Sequence, residues 1–445
     1  MILGPTFAEM RNPTLIDPLV LAKAAKADPL DPIRLFSLRW ADDQGNVRGW
    51  LVPSSLTGVE APIVMMLGNG FPTGSHKVGP AYSCLIEQQL SGEIEPGRDT
   101  LVFPSTGNYG IGGAWVGPRM GYESLVVLPE EMSTERFVRI RGYGAEIIAT
   151  PGSESNVKEI YDEVKRLKLR DGIKVLNQFE AFGNYRFHHG VTGPAAETLS
   201  RQLGFGGRVA AFVSAMGSGG TIAAGDYLKS AYGSAIVGLE PVQCPTLYNV
   251  GYGAHRIEGI GDKHVTWIHN VLNMDALICI DDDQCVRGLQ LLQEADNVLR
   301  DELGFTEGDF SAFRGNIGVS GICNLLGAIK SARALKLGKD DLVVTVATDG
   351  FDRYPSVLEA LVEREGPQTN DVAKSRIAAF HAPDMEMVQH GTESVRTRWH
   401  NQKYFTWVEQ QGKSLEELEQ LKDQDYWANQ ASLSKDIDKR IIAAR

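Results

Sequence analysis

Short apolar runs alternate with amphipathic stretches along most of the chain. Eight runs rich in β-branched residues predict strands at 62–67, 100–103, 124–128, 145–149, 209–214, 235–239, 277–280 and 342–347. Most of these runs are apolar at neighbouring positions, as in strands that are covered on both faces. Helical patterns lie between them, for example at 157–167 and 285–299. This alternation predicts an α/β fold built on mostly parallel, twisted sheets.

Composition and charge narrow the class of protein. The 445 residues include 44 basic and 56 acidic side chains, so the net charge is -12. Such an acidic chain is expected to bind neither nucleic acid nor an anionic membrane surface. The five cysteines are scattered and form no C-x-x-C pair, which argues against a disulfide framework or a zinc site. With no signal-peptide pattern and no long apolar run, the sequence predicts a cytoplasmic protein.

A glycine-rich turn follows the predicted strand 209–214 and precedes a helical stretch. Its residues are Gly217, Ser218, Gly219, Gly220 and Thr221. Backbone N–H groups and hydroxyls can converge there on a phosphate monoester, at the positive end of a helix. A dinucleotide motif would need another glycine at Ile222, although Glu240 lies near the required acidic position. A tight connection between strand and helix has the same glycine-rich pattern, so these interpretations stay open.

Two further loops carry candidate chemistry. The residues Ser105, Thr106, Gly107, Asn108 and Tyr109 offer hydroxyl, amide and N–H groups that suit a carboxylate, although a capped helix start would look the same. Lys77 follows Gly74, Ser75 and His76. Such a lysine is usually solvated, but in a closed apolar site its amine could form a Schiff base with an aldehyde.

Three other features have simpler interpretations. His188 and His189 are adjacent, so their side chains diverge and no metal site is expected. The run Asp281–Asp282–Asp283 has the carboxylates of a cation site, but an acidic helix start explains it as well. Two interpretations of His76 stay open: an acid–base helper for Lys77, or a solvated or packed side chain.

Taken in order, these motifs resemble those of the fold-type II pyridoxal-phosphate enzymes, which include cysteine synthase, cystathionine β-synthase and threonine dehydratase. The likeness rests on the lysine segment, the loop at 105–109 and the turn at 217–221. It extends to Asn177-Gln178-Phe179, Thr192-Gly193-Pro194, Glu258-Gly259-Ile260-Gly261 and the motif ending in Tyr354. Cysteine synthase looks most similar, through the Gln178 and Glu258 segments.

The resemblance implies a role for each matching residue. Lys77 would form the Schiff base and move the proton at Cα. Asn108 would bind the ring hydroxyl of pyridoxal 5'-phosphate, and the 5'-phosphate would lie on Gly217, Ser218, Gly219, Gly220 and Thr221. The substrate carboxylate would be held by Ser105, Thr106, Gly107, Tyr109 and Gln178, with Gly259 at the mouth of the site.

The sequence departs from the family pattern at three places. Val78 and Gly79 follow Lys77 where a basic sequence is common, and Tyr109 replaces a small threonine. Tyr109 is therefore expected to make the substrate pocket smaller or differently polar. Gly350 aligns with the serine that usually meets the pyridine nitrogen, which leaves Thr348 or Asp349, or neither, for that contact. A carboxylate there would keep the nitrogen protonated and deepen the electron sink.

The resemblance also implies an organisation into domains. We expect a large cofactor-binding domain from 1–82 plus 205–366 and a small mobile domain from 83–204. The tail, 367–445, holds Trp399, Trp407 and Trp427, and Ser414 and Glu417 form a capping-box pattern with Leu415, Leu418 and Leu421 on one side. We expect this tail to be a helical extension packed on the body or on a second subunit. A homodimer is implied by the family.

The expected function is replacement or elimination at Cβ of a small L-amino acid through an aminoacrylate, as in cysteine synthase. The alternative within the same chemistry is net elimination by a desulfhydrase, dehydratase or ammonia-lyase, which yields a keto acid and ammonia. From other classes, a Rossmann-type nucleotide-binding oxidoreductase could use Gly217–Gly220, and a cofactor-binding regulator could carry a degenerate site. No metal is expected.

Overall fold

The computed structural model describes residues 2–105, 107–152 and 157–445. The strands in chain order are β1 Gly49–Val52, β2 Ile63–Leu67, β3 Thr100–Pro104, β4 Glu123–Pro129, β5 Glu146–Thr150, β6 Ile173–Val175, β7 Ala211–Ala215, β8 Ala235–Pro241, β9 Ala276–Ile280, β10 Val343–Ala347 and β11 Val388–His390. Eight of them lie at the predicted strands, with ends shifted by one or two residues, which confirms the predicted α/β class. Three short strands, β1, β6 and β11, were not predicted.

Helices connect and cover these strands. They are α1 Phe7–Arg11, α2 Pro18–Lys26, α3 Ser54–Thr57, α4 Val78–Ser91, α5 Asn108–Arg119, α6 Thr134–Gly142, α7 Val157–Leu167, α8 Phe182–Phe187, α9 Gly193–Gln202, α10 Ala223–Tyr232, α11 Thr246–Asn249, α12 Asp282–Glu294, α13 Asp296–Leu303, α14 Glu307–Phe313, α15 Val319–Ala334, α16 Pro355–Glu365, α17 Asn370–His381, α18 Glu393–Asn401, α19 Leu415–Gln420, α20 Gln424–Ser432 and α21 Ser434–Ala444. The prediction of a single helix at 285–299 is wrong, because the helix is interrupted at Ala295, between α12 and α13.

The larger sheet has the strand order β1-β2-β10-β7-β8-β9-β11 among the described residues. Its five inner strands pair in parallel, and the edge strands β1 and β11 pair antiparallel. Every residue of β2, β7, β9 and β10 is buried, which explains their continuous apolar sequence. Because parallel strands end at the same edge, the loops after β2, β7 and β10 lie side by side.

The smaller sheet is parallel throughout its described strands and has the order β5-β4-β3-β6. Ile111 and Ala114 on α5 pack with Val126 and Leu128 of β4, and all four are buried. Ser105 follows the carboxyl end of β3, and Gly107 directly precedes α5. Ser105 and Gly107 thus lie at the edge of the smaller sheet, and they line one pocket with Lys77 and the glycine-rich turn of the larger sheet.

The acidic run 281–283 forms a helix start. In the described part of the chain these three side chains are the one group close enough together to hold a metal ion. Asp281 caps α12 by accepting a hydrogen bond of 3.0 Å from the N–H of Gln284. Asp282 and Asp283 pair with Arg256. The acidic side chains are thus explained by the helix terminus and by ion pairs.

The C-terminal region packs on the body of the same chain. Trp399, Trp407 and Trp427 are at most 2% exposed. Ser414 and Glu417 form the predicted capping box of α19. Leu418 and Leu421 are buried as expected, but Leu415 is 53% exposed, so the expected apolar side of α19 is wrong at that residue. The region is mainly helical, and β11 additionally joins it to the larger sheet.

Replacing Trp407 with alanine is expected to lower the free energy of unfolding by about 3–5 kcal/mol. Its indole N–H donates a hydrogen bond of 2.8 Å to the carbonyl of Val265, and its ring packs against Tyr161 and Trp267. Chemical denaturation measures the loss. Phe405→Ala is a control because that nearby ring is 68% exposed, and an equal loss in both variants would contradict the packing argument.

None of the described helices is both long enough and apolar enough to cross a membrane. The five cysteines are buried and free. They pack as small apolar side chains.

Candidate active site

A closed pocket lies where the loops after β2, β3, β7 and β10 meet. Most of the residues singled out from the sequence line it: Lys77, Ser105, Gly107, Asn108, Tyr109, Gln178, Gly217, Ser218, Gly219, Gly220, Thr221, Gly259 and Thr348. Asp349 is fully buried behind this lining. Thr106 lies outside the described residues. Ala215, Phe179, Ile260 and Asp262 complete the wall.

Lys77 reaches the glycine-rich turn from the opposite side of the pocket. Its Nζ donates a hydrogen bond of 3.0 Å to Ser218 Oγ. The backbone before it is fixed to the end of β10, because Ser75 forms a bridge with Asp349 and the N–H of His76 donates to the carbonyl of Thr348. The amine is therefore held in the pocket by the fold rather than extended into solvent.

The turn at 217–221 has the shape of an anion cradle. None of the backbone N–H groups of 218–221 donates a hydrogen bond to another described residue. Gly219 has a φ of +74°, which favours glycine, and a Cβ on Gly220 would lie 2.0 Å from Asn184 Oδ1. α10 begins just beyond the turn and adds its positive end. The free donors and the missing side chains fit a bound phosphate group.

A second polar wall stands beside Gly219. Thr266 Oγ1 and His269 Nε2 are buried and have no hydrogen-bond partner among the described residues. Thr266 Oγ1 lies 2.6 Å from the position that a Cβ of Gly219 would take. Buried polar atoms normally have partners. An anionic ligand in the cradle would give the Thr266 hydroxyl one.

His76 is a packed and neutral side chain rather than a solvated one. Burial, with a smaller effect of the Lys77 charge, lowers its pKa to about 3. Its Nδ1 faces the carbonyl of Thr348 at 3.2 Å, so this nitrogen carries the proton, and Nε2 accepts from the Thr221 hydroxyl at 3.1 Å. The Thr221 proton is thus directed toward His76. In this arrangement Thr221 offers an anion its backbone N–H rather than its hydroxyl.

Asn108 and Asp349 form a buried network at the start of α5. Asn108 Nδ2 donates to Asp349 Oδ2 at 2.6 Å, and the hydroxyl of Tyr354 donates to the same oxygen at 2.8 Å. Arg353 Nε donates to Asn108 Oδ1 at 2.9 Å. The amide orientation of Asn108 is therefore fixed by one acceptor and one donor. Its second N–H remains available to the pocket.

The two candidates for the pyridine nitrogen occupy different positions. Thr348 lines the pocket, and its Oγ1 lies 2.8 Å from Ser320 Oγ. Asp349 is turned toward Asn108 and Tyr354, as described above. Of the two, Thr348 presents the group that the pocket can reach.

Ser105, Gly107 and Tyr109 combine helix capping with a wall of the pocket. Ser105 Oγ accepts from the N–H groups of Gly107 and Gly110, each at 2.9 Å, so it caps the start of α5. The Tyr109 hydroxyl donates to the carbonyl of Leu176 at 3.2 Å, away from solvent. Tyr109 therefore bounds the pocket with its ring and backbone. The hydroxyl of Ser105 keeps its own proton for an additional acceptor.

Three residues that the sequence motifs did not single out support the pocket. Asn184 donates to Ser218 Oγ at 3.0 Å from beneath the cradle. Arg136 on α6 is fully buried and contacts Glu258, and it donates to the Tyr354 hydroxyl at 3.1 Å. Asp262 lines the pocket beside Gly259. Asp262 directly follows the Gly-Ile-Gly segment, and that position was the one available signal.

Comparison with known proteins shows the family to which this chain belongs. The family model described as "Pyridoxal-phosphate dependent enzyme" matches residues 54–306. A cysteine synthase of Staphylococcus aureus strain Mu50 is 33% identical over 288 residues, covering 64% of this chain and 84% of that protein. Cysteine synthase B of Escherichia coli K12 is 31% identical over 287 residues, with the same coverage.

A solved structure of a similar protein has a related fold. The O-acetylserine dependent cystathionine beta-synthase from Helicobacter pylori superposes with a TM-score of 0.57 at 26% identity, covering 67% of this chain and 90% of that one. The predicted fold class, pyridoxal-phosphate dependence and reaction class at Cβ are confirmed. The nucleotide-binding and non-enzymatic alternatives have no comparable support. The chain belongs to the pyridoxal-phosphate dependent enzymes of fold type II, and it is similar to the cysteine synthases.

Proposed function

We propose that this enzyme exchanges or removes the β-substituent of a small L-amino acid, in the manner of cysteine synthase. The observation that carries the proposal is the hydrogen bond of 3.0 Å between Lys77 Nζ and Ser218 Oγ. This contact supports the proposal because Lys77, the one lysine among the described residues of the pocket lining, touches the turn at 217–221. When bound, the cofactor supplies an electron sink for the negative charge that develops at Cα.

The chain's own residues would hold the cofactor at both ends. The N–H groups of Ser218, Gly219, Gly220 and Thr221 would bind the phosphate, because they have no other described acceptor. Lys77 would bind the aldehyde. Asn108 would donate its remaining N–H to the ring hydroxyl, and Thr348 would meet the ring nitrogen through a hydroxyl oriented by Ser320.

The substrate would enter with its carboxylate against the start of α5. Ser105, Gly107 and Gln178 line that side of the pocket. Gly259 would leave room at the mouth. Lys77 Nζ would then take the proton from Cα. Since Tyr109 is held inward by Leu176, its ring would restrict the pocket to short side chains.

Closure of the pocket would depend on the contacts of α6. We propose the domain division 1–82 plus 205–366, 83–204 and 367–445, which the two sheets support because β3 to β6 all lie within 83–204. Arg136 joins the smaller part to Glu258 and Tyr354 of the larger one. This tie would exclude water while the substrate reacts.

Assembly and location are part of the same proposal. We propose a homodimer, by analogy with the family, and a cytoplasmic location. The free state of all five cysteines supports a reducing compartment. A small amino acid is the expected partner of the pocket.

The test of replacement against elimination is an incubation with and without sulfide. O-acetyl-L-serine and L-serine would be supplied to the holoenzyme, and cysteine, pyruvate and ammonia would be measured. A synthase is expected to form cysteine in a sulfide-dependent manner and little pyruvate. Pyruvate and ammonia appearing at the same rate with and without sulfide would show net elimination instead.

A further inference from the structure

Asp262 is a buried carboxyl group inside the reaction pocket. Its residue is 6% exposed, it lines the pocket with Lys77, and its Oδ1 has no hydrogen-bond partner among the described residues. Its Oδ2 lies 3.5 Å from the position that a Cβ of Gly217 would take. Buried carboxyl groups are normally satisfied by donors. An unsatisfied one in a reaction pocket therefore needs a functional explanation.

The backbone holds Asp262 firmly in this place. The N–H of Gly261 donates to the carbonyl of Met216 at 2.8 Å, which fastens the loop to the strand end before the cradle. The Thr246 hydroxyl donates to the carbonyl of Asp262 at 2.9 Å. The carboxyl group is thus aimed at the pocket by the fold and not by a mobile loop end.

Burial among mostly neutral groups favours a carboxyl group that exchanges protons near neutral pH. Burial raises the pKa of Asp262 to about 7, and the charge of Lys77 offsets this only in part. Tyr161 on α7 and Cys244 after β8 interact electrostatically with Asp262, and His255 and His264 are further titratable groups on its own loop. Burial raises the pKa of Tyr161 and Cys244 and lowers that of both histidines, so all four are neutral at pH 7. Lys263 is exposed beside it.

We propose that Asp262 is the acid–base group that serves the atom leaving from, or adding to, Cβ of the substrate. This inference rests on the function proposed above, and it extends that function to a substrate class. The enzyme would accept amino acids whose β-substituent leaves well only after protonation, namely thiols and alcohols such as L-cysteine and L-serine. O-acyl serines would not need this residue.

The proposed step balances without another reactant. The proton at Cα passes to Lys77 Nζ, and the electron pair of that C–H bond forms the double bond between Cα and Cβ. The bond from Cβ to sulfur or oxygen breaks, and its electron pair stays on the leaving atom, which takes the proton of Asp262. In the addition direction, the Asp262 carboxylate takes the proton of a thiol or of water while that atom bonds to Cβ, and the electron pair of the Cα–Cβ double bond takes the proton back from Lys77 Nζ to restore the C–H bond at Cα.

A second acid–base group is needed because one amine cannot do both tasks at once. Lys77 accepts the Cα proton in the same phase in which a basic leaving group must receive one. Acetate is a weak base and leaves without protonation, whereas hydroxide is a strong base and does not. The contribution of Asp262 should therefore depend on the leaving group.

The test compares holoenzyme variants on two kinds of substrate. Asp262→Asn is expected to lower kcat/KM for L-cysteine and L-serine by about 100-fold and that for O-acetyl-L-serine by less than about fivefold. The wild-type rate on L-cysteine should fall as the pH rises through about 7, since the proton of Asp262 is lost, and the variant should lack this dependence. Asp99→Asn is a control, because Asp99 is 4% exposed and lies outside the pocket.

A spectroscopic measurement gives a readout apart from turnover. Infrared difference titration of the holoenzyme should show a protonated carboxyl band that disappears near pH 7 and is missing in Asp262→Asn. Equal loss on all three substrates, or no such band, would overturn the inference while leaving the proposed function intact. A wild-type enzyme that is inactive on all three would overturn the proposed function and the inference together.

Discussion

Replacing Lys77 with alanine is expected to abolish turnover, with a loss of at least about 1,000-fold, and to remove the covalent link to the cofactor. The reason is that Lys77 is the only amine among the residues that line the described pocket, and its Nζ lies at the cradle. No other described lining group can both bind an aldehyde and take a proton at Cα. Borohydride reduction followed by peptide mass analysis should find the cofactor on Lys77 in the wild type and on no peptide in the variant.

Two further variants make this experiment decisive. Lys77→Arg keeps a positive charge near Ser218 but cannot form an imine, so it should bind cofactor without a covalent link and remain inactive. Lys26→Ala alters an exposed lysine on α2 and should behave as the wild type. Covalent labelling that persists in Lys77→Ala would show that a different lysine is the reactive one.

Replacing Gly220 with alanine is expected to weaken cofactor binding by about 100-fold, or about 2.7 kcal/mol. The added methyl group would lie 2.0 Å from Asn184 Oδ1 and 2.6 Å from its Cγ. Asn184 cannot move away freely, because it is fully buried and its Nδ2 donates hydrogen bonds to Ser218 Oγ and to the carbonyl of Gln178. The cradle must deform instead, and its N–H groups lose their convergence on the phosphate.

Equilibrium titration of the apoenzyme with pyridoxal 5'-phosphate measures this effect. Gly142→Ala is the matched control, because Gly142 ends α6 and nothing lies within 4 Å of the added Cβ. Asn184→Ala placed in the Gly220→Ala background should restore part of the affinity, about tenfold, by making room for the methyl group. Unchanged affinity in Gly220→Ala would place the phosphate elsewhere.

The sequence was most informative where local pattern and burial coincide. β2, β7 and β10 are buried at every position, so their apolar runs predicted them. β6 reads Ile-Lys-Val and β11 reads Val-Gln-His, and neither is fully buried. Such short edge strands exist because a neighbouring strand offers hydrogen bonds, and that neighbour is not visible locally.

The pocket residues likewise differ in how well the local sequence predicts them. The lysine segment, the loop at 105–109 and the cradle each have a local signature, and the fold brings them together. The position of Asp262 after Gly-Ile-Gly is its one local signal, and it is weak because a carboxylate there looks solvated until the loop is folded against Met216. The orientation of the Thr221 hydroxyl likewise depends on His76, 145 positions away in sequence.

The short strand β11 limits how far the chain can be truncated from its C-terminal side. It comes from residues 388–390, well beyond the family match at 54–306, yet it covers the outer side of β9 through Val388, Gln389 and His390. Without it, the N–H and C=O groups along that side of β9 would be open templates for intermolecular pairing. The last part of the chain thus shields the sheet from self-association, and the catalytic unit does not end where the family signature does.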